Sequence, residues 1–291
     1  MYRRALSPSA LALVGWSLFC FFAAEARAEK ACVWKVTAPN GKIAYIGGSV
    51  HALQKSDYPL PPAFMRAFDA SSRIAFEVDA RALKESSESL VKEGKYRKGD
   101  SLKNHVDPRT YAYMTRLFEL MNVPEESLAE WRPWFIVVML QAISSRRALP
   151  EEGVDEFFMR RAAKRSMPVI GLETVQEHAG VYSGLTDRES EILLLTTFIP
   201  SGVSMGKDNI MKAWRRGDAD ALAMMMQRES AEFPAFHERL VNARNRAWIP
   251  KIEKFIESGQ TYFVVVGAGH LGGSNGVLSL LRAKGYQIAQ M

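Results

Sequence analysis

Near each end the chain carries the same short order of parts: an apolar β-prone run, a Gly-x-x-His turn, a helical stretch and a second β-prone run. At the front this reads IAYIGGSVH, then FMRAF, then RIAFEV; at the back it reads YFVVVGAGH, then VLSLLRAKG, then YQIA. Strand–helix–strand units are the crossovers of a sheet with helices packed on it. The pattern therefore predicts an α/β (α+β) fold with a mixed central sheet. Two similar units lie side by side in it, with a large helical insertion between them. No Pro- or Ser-rich linker separates the ends. With 291 residues, 47% hydrophobic, the chain can bury a core without disulfide staples. Residues 29–291 are read as a single domain.

Residues 1–28 read as a signal peptide. Arg3 and Arg4 supply a positive start, Leu11 to Phe22 an apolar stretch, and Ala26-Arg27-Ala28 a small-x-small cleavage site. An exported, periplasmic or secreted protein is expected, touching a membrane only if the signal stays uncleaved. A net charge of +6 is too mild to call for a nucleic-acid partner. The two cysteines, Cys20 and Cys32, cannot make a four-thiolate site. Cys32, the one left after cleavage, is expected to be a packed thiol.

Val33–Thr37 and Ile43–Ile46 are β-prone and flank Asn40-Gly41, a hairpin signal. Helices are expected over Ala63–Ala70, from Asp107-Pro108 to Met121, Trp131–Arg147, Gly153–Arg165, and near 187–199, 205–216, 218–229 and 234–257. Further strands are expected over Arg73–Asp79, Pro168–Gly171, Thr261–Val266 and Tyr286–Ala289. On the Gly153–Arg165 helix, Arg160, Arg161, Lys164 and Arg165 fit a solvated face.

A histidine reached through glycines directly after a buried strand sits at the strand's carboxyl end, where α/β sheets bind ligands. His51 and His270 occupy that place in the two units. Glu77 lies within the apolar Phe76-Glu77-Val78 run, where a carboxylate must be paired or bound. If the FEV strand neighbours the IAYIGG strand, Glu77 ends near His51; a salt bridge to Arg244 or Arg246 is the plainer use of that charge. Two imidazoles and a carboxylate can hold a divalent ion with an open position.

Other motifs fail on inspection. Gly267-x-Gly269-x-x-Gly272 matches the dinucleotide fingerprint, but no acidic residue follows Glu257 to hold a ribose. His237-Glu238 starts like a zincin helix, yet the second histidine position is Val241. Gly202-x-Ser204-x-Gly206 has the nucleophile-elbow spacing but follows a helical pattern broken by Pro200, not a strand.

GGSVHALQKSDYPLPPAFMRAFDASSRIAFEVD, GVDEFFMRRAAKRSMPVIGLET, ARNRAWIPKIE and FVVVGAGHLGGSNGVLSLLRAKGY together resemble, in order, the signatures of the TraB/GumN family. That family is similar to the Tiki metalloproteases, which share paired Gly-x-x-His motifs and an acidic residue. It is more distantly similar to erythromycin-esterase-like and heme-uptake-type hydrolase folds. The resemblance implies that His51 and His270 are the paired histidines and Glu77 the acidic residue. It also implies that Arg244 and Asn245 are the polar pair before the family's Trp, here Trp248, and that Asp155 and Glu173 are acidic positions of the central segment.

The leading expectation is metal-dependent, metalloprotease-like hydrolysis, foremost of peptide bonds, with a peptide or small molecule as substrate. His51, Glu77 and His270 would hold a divalent ion (Mn, Co or Zn), Arg244 or Asn245 would steady an oxyanion, and Asp155 or Glu173 would be a further ligand or the general base. The alternatives are a metal-free hydrolase with a histidine base and a non-catalytic exported binding protein serving polysaccharide or envelope assembly.

Overall fold

The computed structural model describes residues 30–148, 151–198 and 207–291. The expected signal segment and the Gly202–Gly206 elbow spacing lie outside the described residues. Strands β1 (Val33–Thr37) and β2 (Ile43–Ser49) form an antiparallel hairpin. Its turn needs Gly41, which sits at φ +82, a conformation that costs other residues more. Then come β3 (Ala52–Leu53), β4 (Arg73–Phe76), β5 (Glu151–Glu152), β6 (Val169–Gly171), β7 (Tyr262–Gly267) and β8 (Gln287–Gln290).

The six-stranded sheet runs β6-β4-β7-β2-β1-β8. Its first four strands are parallel; β1 is antiparallel to both β2 and β8. The mixed α/β architecture is therefore as the two units imply, but the units interleave. Their first strands, β2 and β7, are neighbours, while β4 lies beyond β7 and β8 beyond β1. The hairpin begins this: β1 and β7 take both edges of β2, so β4 pairs at the far edge of β7, and with β7 then flanked on both sides β8 pairs at the free edge of β1. In consequence β4 does not neighbour β2, and Glu77 emerges beside β7.

Among the described residues, two apolar clusters form the core. The larger surrounds the sheet, where Phe64 and Phe68 of helix Pro62–Asp69, Phe158 of helix Val154–Lys164 and Trp248 of helix Ala243–Glu257 are buried against the strands. Phe158 meets Phe263 edge-on at 5.2 Å. The smaller is helical, built on Leu102, Met114, Ile136, Val137 and Leu194. Asp107 and Pro108 cap and begin helix Pro108–Leu120 as their types predict, with Asp107 accepting from the Arg109 amide. Helices Ala80–Glu85, Ser87–Gly94, Glu125–Ala129 and Val175–Ser183 go beyond the sequence reading.

The expected 234–257 helix is continuous but not uniform: Pro234–His237 passes through a π turn at Glu238–Asn242 into Ala243–Glu257. Among the described residues no helix is long and apolar enough to cross a membrane. Cys32 is buried, and burial pushes its thiol pKa far up, so it is the packed, unreactive thiol expected.

Candidate functional site

The four parallel strands deliver four polar side chains to one edge. Just past their carboxyl ends stand His51 (β2), His270 (β7), Glu77 (β4) and Glu173 (β6). A cavity of about 550 Å³ opens there, lined by His51, Glu77, His178, Arg244 and His270 together with apolar residues such as Val138, Leu222 and Met225. The fingerprint-like glycines serve this packing: a Cβ on Gly272 would lie 2.1 Å from the Ala219 carbonyl, so the turn after β7 presses against helix Ala219–Glu229.

His270 is buried. Its Nδ1 lies 2.7 Å from Asn245 Oδ1. The Asn245 amide nitrogen donates both hydrogens elsewhere, to the carbonyls of His270 (3.2 Å) and Asn275 (2.9 Å). The side-chain oxygen of Asn245 can only accept, so Nδ1 carries the ring proton and Nε2 presents a lone pair. Burial lowers the His270 pKa to about 4, keeping the ring neutral at pH 7. Asn245 thus orients His270 and has no hydrogen left for an oxyanion.

Glu77 accepts from the Gly267 amide (2.8 Å) and from Arg244 Nη2 (2.6 Å). Its Oε1 stands 3.9 Å from His270 Nε2. Burial would raise the Glu77 pKa, but His270, Arg244 and the Gly267 amide outweigh it and bring it to about 2. The carboxylate is both at the site and in a salt bridge.

Arg244 is the hub. It grips Glu173 through Nε and Nη2, reaches Glu77, and donates from Nη1 to the Leu240 carbonyl (3.1 Å) inside the π turn. Nη1 also faces His270 Nε2 at 3.3 Å. Every N–H of the guanidinium has a partner in this structure, so Arg244 offers an oxyanion no donor unless its contact to His270 opens. Such π turns recur at functional sites; here the turn directly precedes Arg244 and Asn245.

Glu173 also accepts from Trp248 Nε1 (3.2 Å) and pairs with His178 Nδ1 (2.7 Å). Its burial pushes its pKa up, yet His178 and Arg244 hold it below the ordinary value. Glu77, Glu173 and His178 present ligand atoms within 4.8 Å of one another, a cluster that could hold a cation. In this structure the Arg244 guanidinium lies among them.

His51 is placed differently. It is exposed at the cavity rim, with its Nδ1 3.6 Å from Asp155 Oδ2. That carboxylate raises the His51 pKa. The structure therefore gathers Glu77, Glu173, Arg244, Asn245 and His270 into one network and sets His51 with Asp155 at its edge.

Sequence reasoning missed His178. Its signal was present: Thr174-x-x-Glu177 is a capping box, and both of its hydrogen bonds form. The helix it starts carries His178 back to Glu173.

The sequence profile of the TraB/PrgY/gumN family matches residues 32–290. Metalloprotease TIKI2 of Danio rerio is 22% identical across 88% of this chain, which spans 60% of that protein's length. The uncharacterized protein YbaP is 21% identical in both Shigella flexneri and Escherichia coli (strain K12), over 85% of this chain and 90% of theirs. No solved structure matches significantly.

Proposed function

This chain belongs to the TraB/PrgY/gumN family, and from that footing we propose that it is an exported hydrolase whose divalent ion is held by His270, Glu77 and His51. The observation that carries the reading is the neutral His270 ring, fixed by Asn245 with its Nε2 lone pair 3.9 Å from the Glu77 carboxylate. Bonds of about 2.0–2.2 Å put two ligands of one ion at most about 4.4 Å apart, so this pair fits a single cation. To bind one, Arg244 would release its 3.3 Å contact to His270 and keep its grip on Glu173. His51, at the rim of the same cavity, would be the third ligand.

Such an ion, when bound, lowers the pKa of a water and polarises a carbonyl. The chain's own groups prepare that chemistry. Arg244 keeps Glu77 and Glu173 ionised, and Asn245 fixes the His270 tautomer. A peptide is the substrate class favoured by the likeness to a metalloprotease.

The test is incubation of the folded, untagged chain with a peptide mixture and Mn, Co or Zn, read by mass spectrometry. Metal-dependent cleavage that chelator and His270→Ala both abolish supports the reading. A folded, metal-supplied chain that cuts nothing contradicts it.

A second reading is favoured by one observation: the Arg244 guanidinium already lies amid Glu77, Glu173 and His178. In it, hydrolysis is metal-free and His270 Nε2 takes the proton. Turnover that survives exhaustive chelation would select it. Ligand binding without turnover would instead select a non-catalytic binding protein.

A further inference from the structure

Each Gly-x-x-His histidine faces a side-chain oxygen through Nδ1, but only one of the two contacts is closed. For His270 the partner is Asn245 at 2.7 Å. For His51 it is Asp155 at 3.6 Å, beyond hydrogen-bond length. Asp155 Oδ2 is buried and, among the described residues, has no hydrogen-bond partner. An unsatisfied buried carboxylate oxygen is costly, so its position calls for a donor. The nearby donor is the exposed His51 ring, 3.6 Å away.

The backbone builds this meeting deliberately. Strands β3 and β5 pair Ala52 with Glu152, and the Val154 amide donates to the Val50 carbonyl. Between them Gly153 lies so close that a Cβ would stand 2.4 Å from the His51 carbonyl. Helix Val154–Lys164 therefore starts against the His51 turn and carries Asp155 in its first turn. A swing of about 0.7 Å brings the contact to ordinary length.

We propose that Asp155 is a positioning residue that accepts the His51 Nδ1 proton and so leaves the His51 Nε2 lone pair for the ion, as Asn245 does for His270. This rests on the metal-dependent reading above and replaces the ligand or general-base role expected for Asp155. Oxygen partners of this kind fix the tautomer and orientation of metal-binding histidines, and their loss typically weakens metal affinity about 10–100-fold. Asn245 shows that a neutral amide oxygen suffices, which separates positioning from the other two roles.

The experiment compares wild type, Asp155→Asn and Asp155→Ala by Mn, Co and Zn titration, melting of the metal-free proteins, and two-bond proton–nitrogen NMR of the His51 ring. The expected result is metal affinity within a few-fold of wild type for Asp155→Asn and a loss of about 10–100-fold for Asp155→Ala. Metal-free melting of Asp155→Ala should be unchanged or higher, because an unsatisfied oxygen has been removed. At a pH where the wild-type His51 ring is neutral, above about 9, it should be protonated at Nδ1, and Asp155→Ala should lose that preference. Equal losses in both variants would show a ligand or base; no loss in either, or no Nδ1 preference in wild type, would overturn the proposal. If wild type binds no metal, the metal reading fails, and the NMR comparison still decides the His51–Asp155 contact.

Discussion

Replacing Glu77 by Gln asks how much of this carboxylate serves the fold. The change removes the charge facing Arg244 and keeps the shape. Breaking a buried pair costs about 3–5 kcal/mol when it strands the other charge. Here Arg244 retains Glu173 through Nε and Nη2, so the stranding is partial. A hydrogen bond to a charged group is worth about 1.5–3 kcal/mol, and we expect a loss of about 2–3 kcal/mol. In a chain this long that lowers Tm by roughly 4–12 °C.

The loss has a pH signature. The folded-state pKa of Glu77 is about 2 against an ordinary 4.5. Its stabilisation is therefore full above the unfolded value and disappears as pH falls from 4.5 toward 2. Urea melts of wild type and Glu77→Gln at pH 7, 5, 4 and 3 should show a gap that narrows below about pH 4.5. Equal stability at pH 7, or a gap that stays constant down to pH 3, would refute the pairing argument.

Three further outcomes follow from the same contacts. His270, with a pKa of about 4, resists protonation when folded, so stability should fall as pH drops from about 6.5 to 4; His270→Phe should flatten that part of a urea-midpoint profile. Asn245→Ala removes the acceptor for His270 Nδ1 and the donors to the buried His270 carbonyl and the part-buried Asn275 carbonyl; denaturant melts should show a loss of about 2–4 kcal/mol. Gly272→Ala drives a methyl against the Ala219 carbonyl and should cost about 1–3 kcal/mol, seen as a lower Tm with the fold retained by circular dichroism.

The sequence carried the parts of this site that are local. A histidine after glycines and a strand is legible because strand ends and turns are written in neighbouring residues, and both His51 and His270 were found that way. Glu77 stood out because a charge interrupts an apolar run, and Arg244 was already a candidate partner. What stayed hidden depends on distant pieces of chain. Which edge of β7 is open depends on β1 having taken one side of β2, so the interleaving of the units, and with it the placing of Glu77 beside His270, had no local sign. The π turn before Arg244 shifts the helical phase by one residue without leaving a composition signal. His178 could have been found, since Thr174 and Glu177 announce the start of its helix. The exhausted donors of Arg244 and Asn245 became visible only with their partners in place.

The central claim is that His270 and Glu77 present a cation site at the carboxyl edge of the sheet. Its most direct test is calorimetric titration of Mn, Co and Zn into untagged, chelator-stripped wild type and His270→Ala, each verified as folded. Wild type should bind stoichiometrically, and His270→Ala at least tenfold more weakly. A folded wild type that takes up no divalent ion, or a His270→Ala variant that binds as tightly, would contradict it.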